Sequence, residues 1–135
     1  MSTLKTGKVK TTTIADELDT ESTAVTNVIN GSAKAWVTWN ADGGGIGASF
    51  NVSSVTDSGT GVSTINFVND FDDIYYTVVC GGNQFTDAAM RWIGPSGTSG
   101  HKGTSSVIIY TGYYSGTSSA LYDYNNYNHS VVCLR

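Results

Sequence analysis

Charge is what this sequence has least of. Asp, Glu, Lys and Arg make up 13% of its 135 residues, about half the usual share. Ser, Thr, Asn and 16 Gly fill the difference, which gives a surface of neutral hydroxyls and amides. Such a surface suits packed β-structure and neutral glycans better than a polyanion. The basic residues are few and scattered and the net charge is -4, so there is no clustered Lys/Arg track of the kind that follows phosphates; nucleic acid is not an expected partner. No apolar run approaches the length of a membrane span, and the first residues lack the apolar core of a signal peptide. The expectation is a chain made in a cytosol, without membrane insertion, that reaches any outside location by assembly. At this length one domain is expected, with room for an arm.

Side chains that do chemistry are equally scarce. The two histidines, His101 and His129, form no His-x-His or His-x-x-x-His pair. Cys80 and Cys133 are the only cysteines, each in an apolar run, and their spacing matches no zinc motif; two buried thiols are expected, a disulfide being the alternative. The loop Gly94 to Gly103 holds Lys102 between His101 and Gly103, which departs from the Gly-Lys-Ser/Thr of a phosphate loop, and Gly43 to Gly47 lacks the dinucleotide fingerprint. A Gly-x-Ser-x-Gly elbow is absent, and no carboxylate pair stands out for glycoside hydrolysis. Asn69 to Asp73 gathers three carboxylates around Phe71; oxygen ligands so spaced can hold Ca²⁺, but no EF-hand pattern is present and a turn uses the same residues. No enzyme, cofactor or metal is expected.

What is present is alternation. In Ala33 to Asn40, Ala35, Val37 and Trp39 share one face while Lys34, Trp36 and Thr38 take the other, so one face should be buried. Asp42 to Gly45 is a turn. Ser49 to Val55 reads as the next strand, Asp57 to Gly61 as a turn, and Ser63 to Phe67 as a third strand with Ile65 and Phe67 together. The whole predicts a three-stranded antiparallel meander. Further strands are expected at Ile74 to Cys80, which is apolar on both faces and therefore central, at Ala88 to Ile93, at Thr104 to Thr111, and at the C-terminal His129 to Arg135. Upstream, Met1 to Thr13 carries Lys5, Lys8 and Lys10 among Thr, Ser and Gly. Asp16, Glu17, Asp19 and Glu21 follow as an acidic patch. From Glu21 to Asn30, Thr20 or Ser22 as a cap, the stripe Val25, Val28 and Ile29, and the stop Gly31 predict a short helix. The expected division is an arm and helix over 1–32 and a β-domain over 33–135.

The runs A-K-A-W-V-T-W-N, S-F-N-V-S-S-V-T-D-S-G-T-G and T-I-N-F, with Tyr76-Thr77-Val78-Val79 after them, together resemble a module of tail-fibre-like and other virion proteins of tailed bacteriophages, marine ones in particular. The resemblance covers roughly Asn30 to Val79. It implies a non-enzymatic, homotrimeric β-structure on the outside of a phage particle.

Tyr110, Tyr113, Tyr114, Tyr122, Tyr124 and Tyr127 are six of the eight tyrosines, interleaved with Ser, Gly, Asp and Asn. Tyrosine offers a flat apolar face with a polar tip, and its neighbours offer adaptable hydrogen bonds, which is the composition of binding loops. These residues either bind a host-surface glycan or pack in the core or between subunits. The combined expectation is an all-β antiparallel sandwich or small jelly roll of about seven or eight strands, preceded by an arm and a short helix, and trimeric. Its expected role is a fibre or knob docked on other virion proteins through Lys5, Lys8 and Lys10 and presenting Tyr-rich loops outward; the alternative is a capsid decoration protein that stabilises the shell.

Overall fold

The structure, a computed structural model, describes residues 13–15, 22–24, 32–42, 45–82, 90–95, 97–123 and 129–134. The chain divides into two compact units, Met1–Ser32 and Ala33–Arg135. In the first, Thr13–Ala15 (β1) and Ser22–Ala24 (β2) pair antiparallel, with Ile14 opposite Thr23. This corrects the helix expected from Glu21: its first turn is extended, and no helix occurs among the described residues. Threonine is the physical reason, because a β-branched residue loses side-chain freedom in a helix and gains a cross-strand partner in a ladder. The remainder of that expected helix, 25–30, lies outside the described residues, as do Lys5, Lys8 and Lys10.

The second unit is built from Ala33–Trp39 (β3), Ile46–Phe50 (β4), Val52–Gly59 (β5), Val62–Phe67 (β6), Thr77–Gly82 (β7), Met90–Pro95 (β8), Ser106–Ser115 (β9), Ser118–Leu121 (β10) and His129–Leu134 (β11). They form two antiparallel sheets. One runs β4-β3-β11-β7; in the other, β5 pairs β6, and β9 pairs β6 and β10 along one edge and β8 along the opposite edge. Alternation decides how the sheets meet. Val37, Val131 and Cys80 stand opposite one another across three strands of the first sheet, and Val55, Ile65 and Val107 do the same in the second. Both sets join one core, so the sheets stack apolar face to apolar face in a sandwich-like arrangement. Burying each such side chain contributes about 1.5–3 kcal/mol.

Trp39 and Ser63 tie the two layers together. The indole is fully buried, and its Nε1–H donates to Ser63 Oγ at 3.2 Å across the core. A buried tryptophan N–H needs such an acceptor. His129, buried opposite Trp39 on β11, packs its ring 5.3 Å from the indole.

The expected three-stranded meander is replaced by a corner. Ser49 to Val55 is not one strand: it breaks at Asn51, with β4 pairing β3 in one sheet and β5 pairing β6 in the other. Asn51 has φ 55°, a left-handed conformation that asparagine tolerates better than most residues. Its Nδ2 donates to Lys34 O and Asn69 O, both at 3.1 Å. Its Oδ1 accepts from Asn69 N at 2.8 Å. Immediately after it, a bulge at Ser53 shifts the register so that both Val52 and Val55 face the core.

The expected central strand is also corrected. It begins at Thr77 rather than Ile74 and forms the edge of its sheet, pairing only β11 among the described strands. Asp73 Oδ1 accepts from Tyr75 N at 2.8 Å, which bends the chain ahead of the strand, and Tyr76 turns inward to stack on Phe71 at 4.3 Å.

Asn51→Ala is expected to cost about 2–4 kcal/mol in urea unfolding, through several lost hydrogen bonds at about 1 kcal/mol each and a left-handed backbone without its tolerant side chain. Asn51→Gly should recover the backbone part and cost less. Equal losses in the two variants would show that the side-chain bonds alone matter at this corner.

Candidate functional site

The tyrosine-rich segment is mainly strand, not loop. Tyr110, Tyr113 and Tyr114 all lie in β9, and β9 turns back through residues 116 and 117 into β10. The pleat therefore sorts them. Tyr110 and Tyr114 point away from the core, on the outer face of the second sheet. Tyr113 points the other way and meets Tyr122 edge to face, with ring centroids 6.0 Å apart. Tyr124 and Tyr127 lie outside the described residues. The six candidate tyrosines thus do not form one surface, and the composition that suggested loops also fits a hairpin of alternating faces.

A residue the sequence reading left out, Trp92, completes the outer face. β8 pairs β9 with Trp92 opposite Gly112, midway between Tyr110 and Tyr114. The indole lies on the site a side chain at 112 would occupy: a Cβ there would stand 2.6 Å from Trp92 Cζ2 and 2.4 Å from Ala120 O. Glycine at 112 is what lets the ring lie on the sheet. Trp92 remains 38% exposed and Tyr114 47%. At the other end, His101 stacks near-parallel to Tyr110 at 6.0 Å. The glycine-rich loop brings His101 there, held by the His101 N bond to Thr98 O and by Ile108 N donating back to His101 O at 2.8 Å.

On the same face, beyond Val62, which stands opposite Tyr110, β5 and β6 carry hydroxyls and an amide. Asn66 Nδ2 donates to Ser54 Oγ at 3.0 Å and to Thr56 Oγ1 at 3.2 Å. Ser58 and Thr64 share a hydroxyl–hydroxyl bond of 2.8 Å. These are cross-strand polar pairs fixed by the ladder. The β5–β6 turn is locked against the hairpin: Gly61 N donates to Asp123 Oδ1 at 2.5 Å, and Gly61 O accepts from Thr111 N at 2.8 Å. Gly61, at φ 67°, leaves no space for a Cβ against Thr111 O.

The outer face of the first sheet is different. Phe50, Trp36, Val132 and Val79 stand directly opposite one another on β4, β3, β11 and β7, forming one apolar row across the sheet. Phe50 is 56% exposed, Val79 50% and Trp36 36%. Single exposed apolar residues are ordinary, but a continuous line of them marks a contact surface.

The thiols are placed for packing rather than reaction. Cys80 and Cys133 are free, and both turn toward the core from neighbouring strands. Burial pushes Cys80 up to about 11. Burial and then the nearby Cys80 thiol push Cys133 up to about 12, with Lys102 pulling the other way. Thiols so raised carry little thiolate at neutral pH. Lys102 is used structurally: its Nζ donates to Tyr76 O at 3.0 Å and sits 5.1 Å from the Tyr76 ring centroid, while Tyr76 Oη donates to Gly103 O at 2.8 Å. A groove of about 440 Å³ lies beside this bond, between Val78 and the loop at Gly97 to Gly100. A smaller one of about 220 Å³ lies at the Asn51 corner, lined by Lys34, Asp70 and Asp72. Among the described residues no three His, Cys, Asp or Glu are grouped to hold a metal ion.

Gly112→Ala is expected to lift Trp92 off the sheet, with a red shift of tryptophan emission measured in a Trp36→Phe background and a stability loss of about 1–3 kcal/mol from overpacking. Unchanged emission would mean that the indole does not rest on Gly112. The thiol-specific reagent DTNB at pH 8 should leave both cysteines unmodified in the folded protein and label both after denaturation. The folded state holds these thiol protons more tightly than the unfolded chain. Stability should therefore be steady below the ordinary thiol value near 9 and fall as pH rises from there through about 11 and about 12. A Cys80→Ala, Cys133→Ala variant should fall less over the same range, measured by thermal melting. In comparisons with known proteins, no family model, no curated protein and no solved structure matches this chain.

Proposed function

We propose that this chain is a non-enzymatic structural protein of a tailed-bacteriophage virion, a tail-fibre or knob-like homotrimer docked on other virion proteins through its N-terminal segment and using its outer β-surfaces for contact. The observation that carries this reading is the apolar row Phe50, Trp36, Val132 and Val79. Four in-register side chains across one sheet suit contact with another protein surface, and Trp is among the residues enriched at the centre of such contacts. The row would pack subunit on subunit, leaving the outer face of the second sheet, with Tyr110 and Tyr114, turned to the host. Fixed on strands, those aromatics would bind with little ordering cost, and several copies would add avidity to weak single contacts. The sequence resemblance supplies the phage context.

A second reading, a capsid decoration protein that stabilises the shell, is favoured by one feature. Tyr113 is half-buried against Tyr122, so part of the tyrosine set serves packing rather than display. Location on the particle separates the two readings.

Sedimentation equilibrium is expected to give a trimer for the wild type and a monomer for Trp36→Lys with unchanged far-UV circular dichroism. A folded wild-type monomer at micromolar concentration would overturn the trimeric reading. Cryo-electron microscopy of the particle should place a few copies on the tail; many copies at lattice points on the head would favour decoration instead.

A further inference from the structure

The outer face of the second sheet has a chemistry of its own. Along β9, Tyr110 and Tyr114 are four residues apart, about 13 Å at ~3.3 Å per residue, and Trp92 lies over Gly112 between them. Three aromatic side chains thus stand in a line on one rigid strand pair. Past the Tyr110 end of this line the same face turns polar: on β6, Val62 stands opposite Tyr110, then Thr64 opposite Ile108 and Asn66 opposite Ser106, and Thr64 and Asn66 join Ser54, Thr56 and Ser58 of β5 through hydrogen bonds of 2.8–3.2 Å. On β10, Ser119 stands opposite Tyr114 and Leu121 opposite Gly112. None of these positions is Asp, Glu, Lys or Arg.

We infer that this face binds a neutral oligosaccharide, laid along the line Tyr114, Trp92 and Tyr110 and continuing past Tyr110 onto the Ser/Thr/Asn ladder. Three physical points select that occupant. A sugar ring has an apolar C–H face that stacks on an aromatic ring and an equatorial belt of hydroxyls that needs donors and acceptors. The face supplies both, one after the other along the strands. Each Ser or Thr hydroxyl can donate once and accept twice, so those already paired to one another keep capacity for a ligand. With no charged residue at these positions, an anionic glycan or nucleic acid would lose its hydration without gaining a counter-charge. On the other outer face, Thr38 stands opposite Ser130 in the row next to Trp36, but these hydroxyls are bonded to the backbone at Ala48 and Gly81 and Lys34 shares that face, so sugar stacking is assigned to the face with Tyr110, Trp92 and Tyr114. The ~13 Å span is longer than one ring, and an oligomer should therefore bind better than a monosaccharide.

This inference rests on the host-contact part of the proposed function but not on location in a virion. The test is native affinity electrophoresis of the full chain in gels cast with hydroxyethyl cellulose, galactomannan, dextran or laminarin, with polygalacturonate as the anionic control. Retardation is expected in at least one neutral gel, unchanged in 0.5 M NaCl, and absent in polygalacturonate. Trp92→Ala and Tyr114→Ser should each reduce the apparent affinity at least tenfold, whereas Trp36→Ser, on the opposite face, should not. Because Trp92 rests on Gly112 and its removal could disturb the sheet, Tyr114→Ser, an exposed position, keeps the test valid, with thermal melting as the check on folding. In the gel that retards the chain, the hexasaccharide should compete at least tenfold better than the disaccharide. Migration unaffected in every neutral gel, retardation only by polygalacturonate, or equal retardation of both aromatic variants would each overturn the inference. A protein that enters particles yet ignores all neutral gels loses this inference and keeps the virion role; one that is retarded but absent from particles does the reverse.

Discussion

Asn51 is where the chain leaves one sheet and enters the other, and its side-chain amide holds both ends of that crossing. One group bonds the start of β3 through Lys34 O and the exit of β6 through Asn69, segments 17 and 18 residues away in opposite directions. Because β4 and β5 continue from this corner, the corner sets which strand faces which layer. The bulge at Ser53 then restores the inward phase, so that Val52 and Val55 both reach the core. Trp39 closes the arrangement from the other side: its N–H finds Ser63 only if the two sheets meet in this register.

With the core determined in this way, the outer faces become the informative surfaces. They share a scaffold and differ in chemistry. On the first sheet, pairing lines up four apolar side chains in one row, which suits another protein surface. On the second, pairing lines up Tyr110, Trp92 and Tyr114 and places hydroxyls and an amide beyond the Tyr110 end of that line, which suits a neutral polar ligand with apolar faces. Neither arrangement depends on loop conformation, so both surfaces are held at the precision of a strand. The buried thiols, the Tyr76–Lys102 bond and the Tyr113–Tyr122 pair belong to packing instead.

Several elements were legible in the sequence because they depend on neighbours only a few residues away. The alternation of Ala35, Val37 and Trp39, the shared face of Ile65 and Phe67, and the terminal strand at His129 are of this kind, since period two needs nothing beyond the local pleat. The failures have a common cause. Ser49 to Val55 holds no glycine or proline to mark a break, and the partners that fix the break at Asn51 are distant in the chain. Thr77 to Gly82 is apolar on both faces without being central; its outer side chain Val79 belongs to an exposed row, not to a second covering layer. The segment after Glu21 carries helix end signals, yet Ser22–Ala24 finds a ladder partner at Thr13–Ala15. In the tyrosine-rich stretch, Gly and Ser read as loop punctuation, but Gly112 is there to make space for a tryptophan twenty residues earlier.

The sequence by itself therefore determined that this chain is β-structure with one apolar face per strand, low in charge and rich in tyrosine, because composition and period two are local properties. Only the tertiary structure decided that the strands split into two stacked sheets at Asn51, that Tyr110 and Tyr114 part company with Tyr113, and that Trp92 joins them across Gly112. Strand pairing brings together residues that are far apart in the chain, and which residues share a surface follows from that pairing and register rather than from their spacing in the sequence.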